Sequence, residues 1–293
     1  MKYATEMDLK SCEEMIRHGS SSFYYAFSWL ASPQKEAVHV IYAFCRMIDD
    51  SVDEPECSPY TIQQLQALFA NLERADGHFI WPALRWLFDE FPDLSPEPFR
   101  RQMDGQTYDL TFTRYSTMRE LEHYCYLVAG TVGEMLLPVL KGQHSEPIRH
   151  SGIALGKGMQ IVNIMRDIGE DYRRGRRYVP LELMNRHGYS EQEMEAGIVN
   201  ERFIAMMEEL RLLAEQWFAT GLGDLDEYPE RSAFTVELAA TFYAGIMDVI
   251  RGNEYDVFTQ RAIVSDERKL HMLMAIAQRH GVSKDMLNRP AVS

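Results

Sequence analysis

Asp49, Asp50 and Asp53 form one short acidic run, and Asn163, Asp167, Glu170 and Asp171 form the polar part of a second, about 110 residues later. Both runs lie in sequence with helical periodicity. Residues four apart on a helix share a face, with Cβ atoms roughly 5–6 Å apart. Asp49 therefore stands over Asp53, while Asn163, Asp167 and Asp171 make a single stripe that Gln160 begins. Like charges at this spacing cost a helix roughly 0.2–0.5 kcal/mol per pair. A solvated face could carry that cost for either run alone. Here the flanking residues are apolar: Val38 to Phe44 before the first run, and Ile161, Val162, Ile164, Met165 and Ile168 around the second. Carboxylates on apolar helices need cationic partners. Mg²⁺ takes one or two protein carboxylates, keeps waters and accepts phosphate oxygens. The pattern reads as two metal-binding faces that grip a diphosphate.

A basic run, Arg173-Arg174-Gly175-Arg176-Arg177, follows the second acidic run directly, and Arg46 and Arg166 lie within the acidic helices. Such a run is often a solvated loop. Beside carboxylates and metal, however, the planar guanidinium fork suits phosphate oxygens. Acid, metal, phosphate and arginine then form one electrostatic stack.

The elements that must hold these residues are helical nearly throughout. Phe203, Met206, Met207, Leu210, Leu213, Ala214 and Trp217 recur at steps of three and four, with Gly221 as a stop. Ser32-Pro33 and Ser95-Pro96 read as helix starts, and Thr117 with Glu120 and Ser190 with Glu193 as capping boxes. Turn-rich breaks fall at 55–59, 91–98, 141–147 and 221–229. No alternating strand pattern, hairpin turn or internal repeat is present. One all-α domain over residues 1–293 is expected, with central helices at Ala37–Phe44 and Val236–Ile250.

The net charge of −14 argues against nucleic acid and against anionic membrane surfaces. The four cysteines show no CxxC pair, no GxSxG elbow is present, and no phosphate loop of the GxxxxGK[ST] type appears. No apolar signal stretch opens the chain, and no uncharged apolar run reaches about 18 residues. A soluble cytoplasmic protein is expected.

At these residues the chain resembles the squalene/phytoene synthase family, in particular bacterial dehydrosqualene synthases. The likeness runs from Cys12 to about Leu270. It rests on Ser22-Phe23-Tyr24-Tyr25-Ala26-Phe27, on Tyr42-Ala43-Phe44-Cys45-Arg46 leading into the first acidic run, and on Tyr124 to Gly133. The second acidic run, Arg176 to Pro180, and Tyr255-Asp256-Val257-Phe258 with Arg261 add to it.

The resemblance implies an isoprenoid synthase fold, a helical bundle around a central cavity, that joins two prenyl diphosphates head to head through a cyclopropylcarbinyl diphosphate. It implies two or three Mg²⁺ ions with the diphosphate, held by Asp49, Asp53, Asp167 and Asp171 with Asn163, and Gln160 beside them. Arg46, Arg166, Arg177 and Arg261 resemble diphosphate contacts. Tyr42, Tyr124 and Tyr243 resemble cavity tyrosines near the reacting centre, and Ser22, Phe23 and Phe27 lie in the substrate-side motif. Phe23 and Phe27, one turn apart, would close a tunnel at C15 length; ordinary core packing is the plain alternative, and it leaves C20 substrate and phytoene open. One departure stands out: Ser21 occupies a place where relatives often carry lysine, with His18 nearby. That departure supports a second reading, a farnesyl diphosphate phosphatase releasing farnesol. A third reading, a non-catalytic helical relative, is disfavoured by two intact acidic runs. NADPH use and oligomeric state have no legible signal. Product release would involve transient contact at the membrane periphery.

Overall fold

In the computed structural model, residues 3–111, 114–143 and 145–282 are described. Fourteen α-helices are formed by them. They are α1 (Glu6–Gly19), α2 (Ser21–Phe27), α3 (Gln34–Asp53), α4 (Ile62–Ala70), α5 (Ile80–Glu90), α6 (Glu97–Asp109) and α7 (Met118–Cys125). After a π-helical turn, Tyr126–Gly130, come α8 (Thr131–Leu140), α9 (Glu146–Arg173), α10 (Leu181–His187), α11 (Glu191–Glu195), α12 (Glu201–Gly221), α13 (Glu230–Gly252) and α14 (Asp266–Arg279). Among the described residues the β content is a single bridge, Arg114 with Arg177.

Local chemistry sets the helix starts. Thr117 with Glu120 and Ser190 with Glu193 form reciprocal capping boxes, as their spacing predicts, and Thr5 with Asp8 and Thr61 with Gln64 form two more. The two serine–proline starts differ from expectation. Pro33 and Pro96 occupy the cap positions themselves, with no side-chain cap bond, although Ser95 Oγ accepts from the Glu97 amide at 3.2 Å.

α3, α9 and α13 are the axis of the molecule. α3 buries Ala37 to Ile41 and Ala43 to Cys45, α13 buries most of Ser232 to Ile250, and their neighbours wrap both. One apolar cluster centres on α3, α5 and the Phe44, Phe69, Trp81 and Phe99 rings; the other lies between α9, α12 and α13. α9 is long enough to back the second cluster and also carry the polar stripe. Two stretches, Met118–Leu140 and Glu230–Gly252, are long and apolar enough to cross a membrane, but 67% and 72% of those windows are buried within the fold.

Glycine lets α8 and α9 approach closely. A Cβ on Gly133 would collide with the Gly152 carbonyl, and one on Gly156 with the Ala129 carbonyl. The π-turn lies on this seam. The Val128–Gly133 segment is therefore a close-packing wall inside a helix, not a phosphate loop.

Candidate active site

Between α2, α3, α8, α9 and α13 lies a cavity of about 380 Å³. Its body is apolar, walled by Phe23, Phe27, Val38, Ile41, Leu136, Leu140 and Val236. Its mouth is polar, with Arg46, Asp49, Gln160, Asn163, Arg166 and Arg261. On α9 the lining runs from Gly152 to Arg166, about 21 Å of helix at 1.5 Å per residue.

The helical spacing places the two acidic runs on facing helices. Burial, followed by the neighbouring Asp53 charge, pushes the Asp49 carboxyl up to about 8. Asp171 is pushed up to about 7 by burial and then by Asp167, and it also feels Asp53 across the gap. Carboxyls raised in this way lack compensating positive charge. Asn163 adds a buried Oδ1 with no hydrogen-bond partner. Among the described residues no three or more His, Cys, Asp or Glu side chains close around an ion by themselves. That open, two-sided donor set fits Mg²⁺, which completes its shell with water and phosphate oxygens. Thiolate and imidazole are missing from it, so a structural zinc site does not fit.

Each arginine at the mouth is held by a carboxylate. Arg46 meets Asp50 at 2.5 Å. Arg166 donates to Asp167 at 2.9 and 2.5 Å. Arg261 lies 2.6 Å from Glu170 and 3.3 Å from Asp167. Gly169 makes the last pair geometrically available. A Cβ there would come within 2.7 Å of Phe258 Cα, so only glycine lets the segment carrying Arg261 lie on α9. Glu254 and Tyr255, at φ 53° and 62°, turn the chain back toward it.

Arg177 is not at the mouth. It is 5% exposed and donates to the Tyr115 and Val179 carbonyls at 3.0 and 2.6 Å, with Glu191 3.1 Å from Nε. Its neighbour Arg176 is the one that faces the acids. Arg176 meets Asp53 at 2.5 Å, and its charge also acts on Asp109 and Asp171. The segment is extended here, and successive side chains in extended backbone point to opposite sides. That alternation is the signal that separates the two.

The tyrosines divide in the same way. Tyr42 and Tyr243 line the cavity, and the Phe23 ring packs against them at centroid distances of 6.3 and 5.0 Å. The Tyr243 hydroxyl is hydrogen-bonded by the Asn163 and Ser20 side chains, and burial raises the pKa of both tyrosines. Tyr124 lies outside the cavity lining. Its hydroxyl donates to Asp109 at 2.8 Å, and its ring stacks on Tyr178 at 5.0 Å. Phe23 and Phe27 stack at 5.9 Å along the wall, whereas Ser22 does not line the cavity.

Several residues near the acids carry no mark in the motif reading. Gln106 donates to Asp49 at 2.5 Å, and Asp109 is buried with one oxygen unpartnered. Gln102, Gln106 and Asp109 form a buried polar stripe on α6 at steps of four and three, legible by the same spacing rule as the acidic helices. At Ser21 a lysine is in fact present, delivered from α14: Lys269 Nζ donates to Ser21 Oγ at 3.0 Å. The His18 ring bonds the Glu14 carbonyl at 2.8 Å instead.

A sequence description of squalene/phytoene synthase matches residues 16–268. The 15-cis-phytoene synthase of Synechocystis sp. is 34% identical over 277 residues, covering 88% of this chain and 81% of that one. The phytoene synthase of Thermus thermophilus is 33% identical over 271 residues, covering 89% and 90%. Among solved structures, a dehydrosqualene synthase in complex with ligand superposes with a TM-score of 0.89 at 32% identity, covering 95% of this chain and 98% of that one. With an all-helical frame, a deep apolar cavity and two acidic helices at its mouth, this chain belongs to the squalene/phytoene synthase family of prenyltransferase-type enzymes.

Proposed function

We propose that the protein, acting as a single catalytic domain, condenses two farnesyl diphosphates head to head into a C30 hydrocarbon. The observation that carries this is one cavity with an apolar body and a mouth lined by carboxylates, an amide and three arginines. Asp49 and Asp53 on one side, and Asp167, Asp171 and Asn163 on the other, would hold Mg²⁺. Bound there, Mg²⁺ supplies positive charge to the departing diphosphate.

This chain's own residues account for the rest. Arg46, Arg166, Arg176 and Arg261 orient diphosphate oxygens through bidentate hydrogen bonds. Phe23, Phe27 and the aliphatic walls exclude the water that would convert an allylic cation to an alcohol. Tyr42, Tyr243 and Phe23 turn aromatic faces toward the mouth, where a ring quadrupole favours positive charge. The raised pKa values of the two tyrosines keep their hydroxyls protonated, so they serve as hydrogen-bond donors and not as anions.

The stacked Phe23–Phe27 pair narrows the wall and favours C15 substrate. A second reading, C20 substrate and phytoene, draws on the phytoene synthase relatives and on the length of the lining along α9. The test is to supply farnesyl and geranylgeranyl diphosphates together with Mg²⁺, with and without NADPH, and to read the extract by gas chromatography–mass spectrometry. A C30 product supports the first reading, and its dependence on NADPH separates squalene from dehydrosqualene. A C40 product supports the second, and prenyl alcohols alone overturn both.

A further inference from the structure

Two diphosphates must be held at once if the reading above is right, and the inference here rests on that reading. The carboxylates of α3 and α9 with their metal ions account for one. The three arginines lining the mouth are already balanced by Asp50, Asp167 and Glu170 at 2.5–3.3 Å. A second polyanion needs positive charge that is not yet committed.

Lys269 has that character. Its side chain is buried, at 7% residue exposure, and its shortest contact is neutral: the Ser21 hydroxyl at 3.0 Å. Its carboxylate neighbour, Asp266, lies 3.7 Å away and is fully exposed, so solvent weakens that pair. Buried ammonium groups are ordinarily paired closely with an anion. Here the ammonium is instead held at the start of α2, beside Gly19 and Ser20, which line the cavity lip. Ser20 in turn bonds Tyr243 inside the cavity.

We infer that Lys269, with Ser21, binds the diphosphate of the second prenyl substrate at the α2 lip. The chain of that substrate enters past Gly19, Ser20 and Phe23, while its diphosphate stays outside the acidic clusters. The ammonium donates to phosphate oxygens and Ser21 fixes its direction. The lysine comes from the opposite end of the sequence, 248 residues from Ser21, which explains why the local motif lacks it.

The test is a calorimetric titration of the full chain with farnesyl S-thiolodiphosphate, a non-ionising substrate analogue, in the presence of Mg²⁺. Wild type is expected to bind two equivalents. Lys269→Gln is expected to keep the first and weaken the second at least tenfold, with Lys269→Arg restoring much of it. Ser21→Asp, an exposed change that places an anion against Nζ, is expected to reproduce the selective loss even if Lys269→Gln folds poorly. A wild-type stoichiometry below two overturns the two-substrate reading and this inference with it. Two equivalents in wild type, with both affinities unchanged in Lys269→Gln or Ser21→Asp, overturns the role of Lys269 alone. Equal weakening of both sites also overturns it, since that marks a structural lysine.

Discussion

Arg176, in the turn after α9, lies 2.5 Å from Asp53 at the end of α3, so a single guanidinium ties the two acidic helices together. The adjacent Arg177 faces the other way, into the protein, and ties the same turn to Tyr115 and Val179. The two arginines therefore have separable effects. Arg176→Gln should lower kcat/KM about 100-fold, as for loss of one preorganised charge-stabilising donor, with little change in Tm. Arg177→Gln strands buried carbonyls and should cost about 2–5 kcal/mol of stability. Paired kinetics and thermal melts check this, and an exchange of the two phenotypes would refute the placement.

The raised carboxyls make the metal-free protein pH-sensitive. Asp49 and Asp171 have higher pKa values folded, about 8 and about 7, than the usual 3.8. Such groups favour the fold while protonated. That contribution is full below about pH 4 and is lost as pH rises through about 7–8. Buried His39, lowered to about 4, gives the opposite slope, losing stability as pH falls below about 6.5. The comparison with Asp49→Asn isolates the carboxyl: melting curves of the metal-free proteins should converge at acid pH, with the variant more stable at about pH 8. Stabilisation by added Mg²⁺ should grow over the same window, because the ion competes with protons. Parallel pH profiles for wild type and variant would contradict the assignment.

Gly169→Ala should displace Val257 and Phe258 from α9 and carry Arg261 away from Asp167 and Glu170. The expected cost is about 1–3 kcal/mol of overpacking, with KM raised more than kcat is lowered. Unchanged KM in a folded variant would show that Arg261 reaches its place by another route.

Phe27 is 4% exposed, stacks on Phe23 and lines the cavity. Phe27→Ala should cost about 3–5 kcal/mol of stability and lengthen the accepted chain, raising the C40-to-C30 product ratio when both prenyl diphosphates are supplied. An unchanged ratio, measured by mass spectrometry, would remove Phe27 as a length determinant.

The all-helical architecture was legible because its signals are local: apolar steps of three and four, and the capping boxes at Thr117 and Ser190. Asp49, Asn163 and Arg166 could be read onto the cavity mouth for the same reason, since helical spacing alone fixes which residues share a face. Arg177 and Tyr124 were misplaced where that rule stops applying. Arg177 sits in extended chain, where neighbours alternate, and Tyr124 precedes a π-turn that shifts the helical phase. Lys269 and Arg176 depend on contacts between distant parts of the chain, with Ser21 and Asp53 respectively. No short motif encodes such pairs.

The most direct measurement of the central claim uses farnesyl diphosphate labelled with ¹³C at C1 alone, incubated with the protein and Mg²⁺ and read by NMR of the extracted product. Head-to-head condensation bonds the two labelled carbons to each other, so a one-bond ¹³C–¹³C coupling in a C30 hydrocarbon is predicted. Label found only in the carbinol carbon of farnesol, without that coupling, would contradict it.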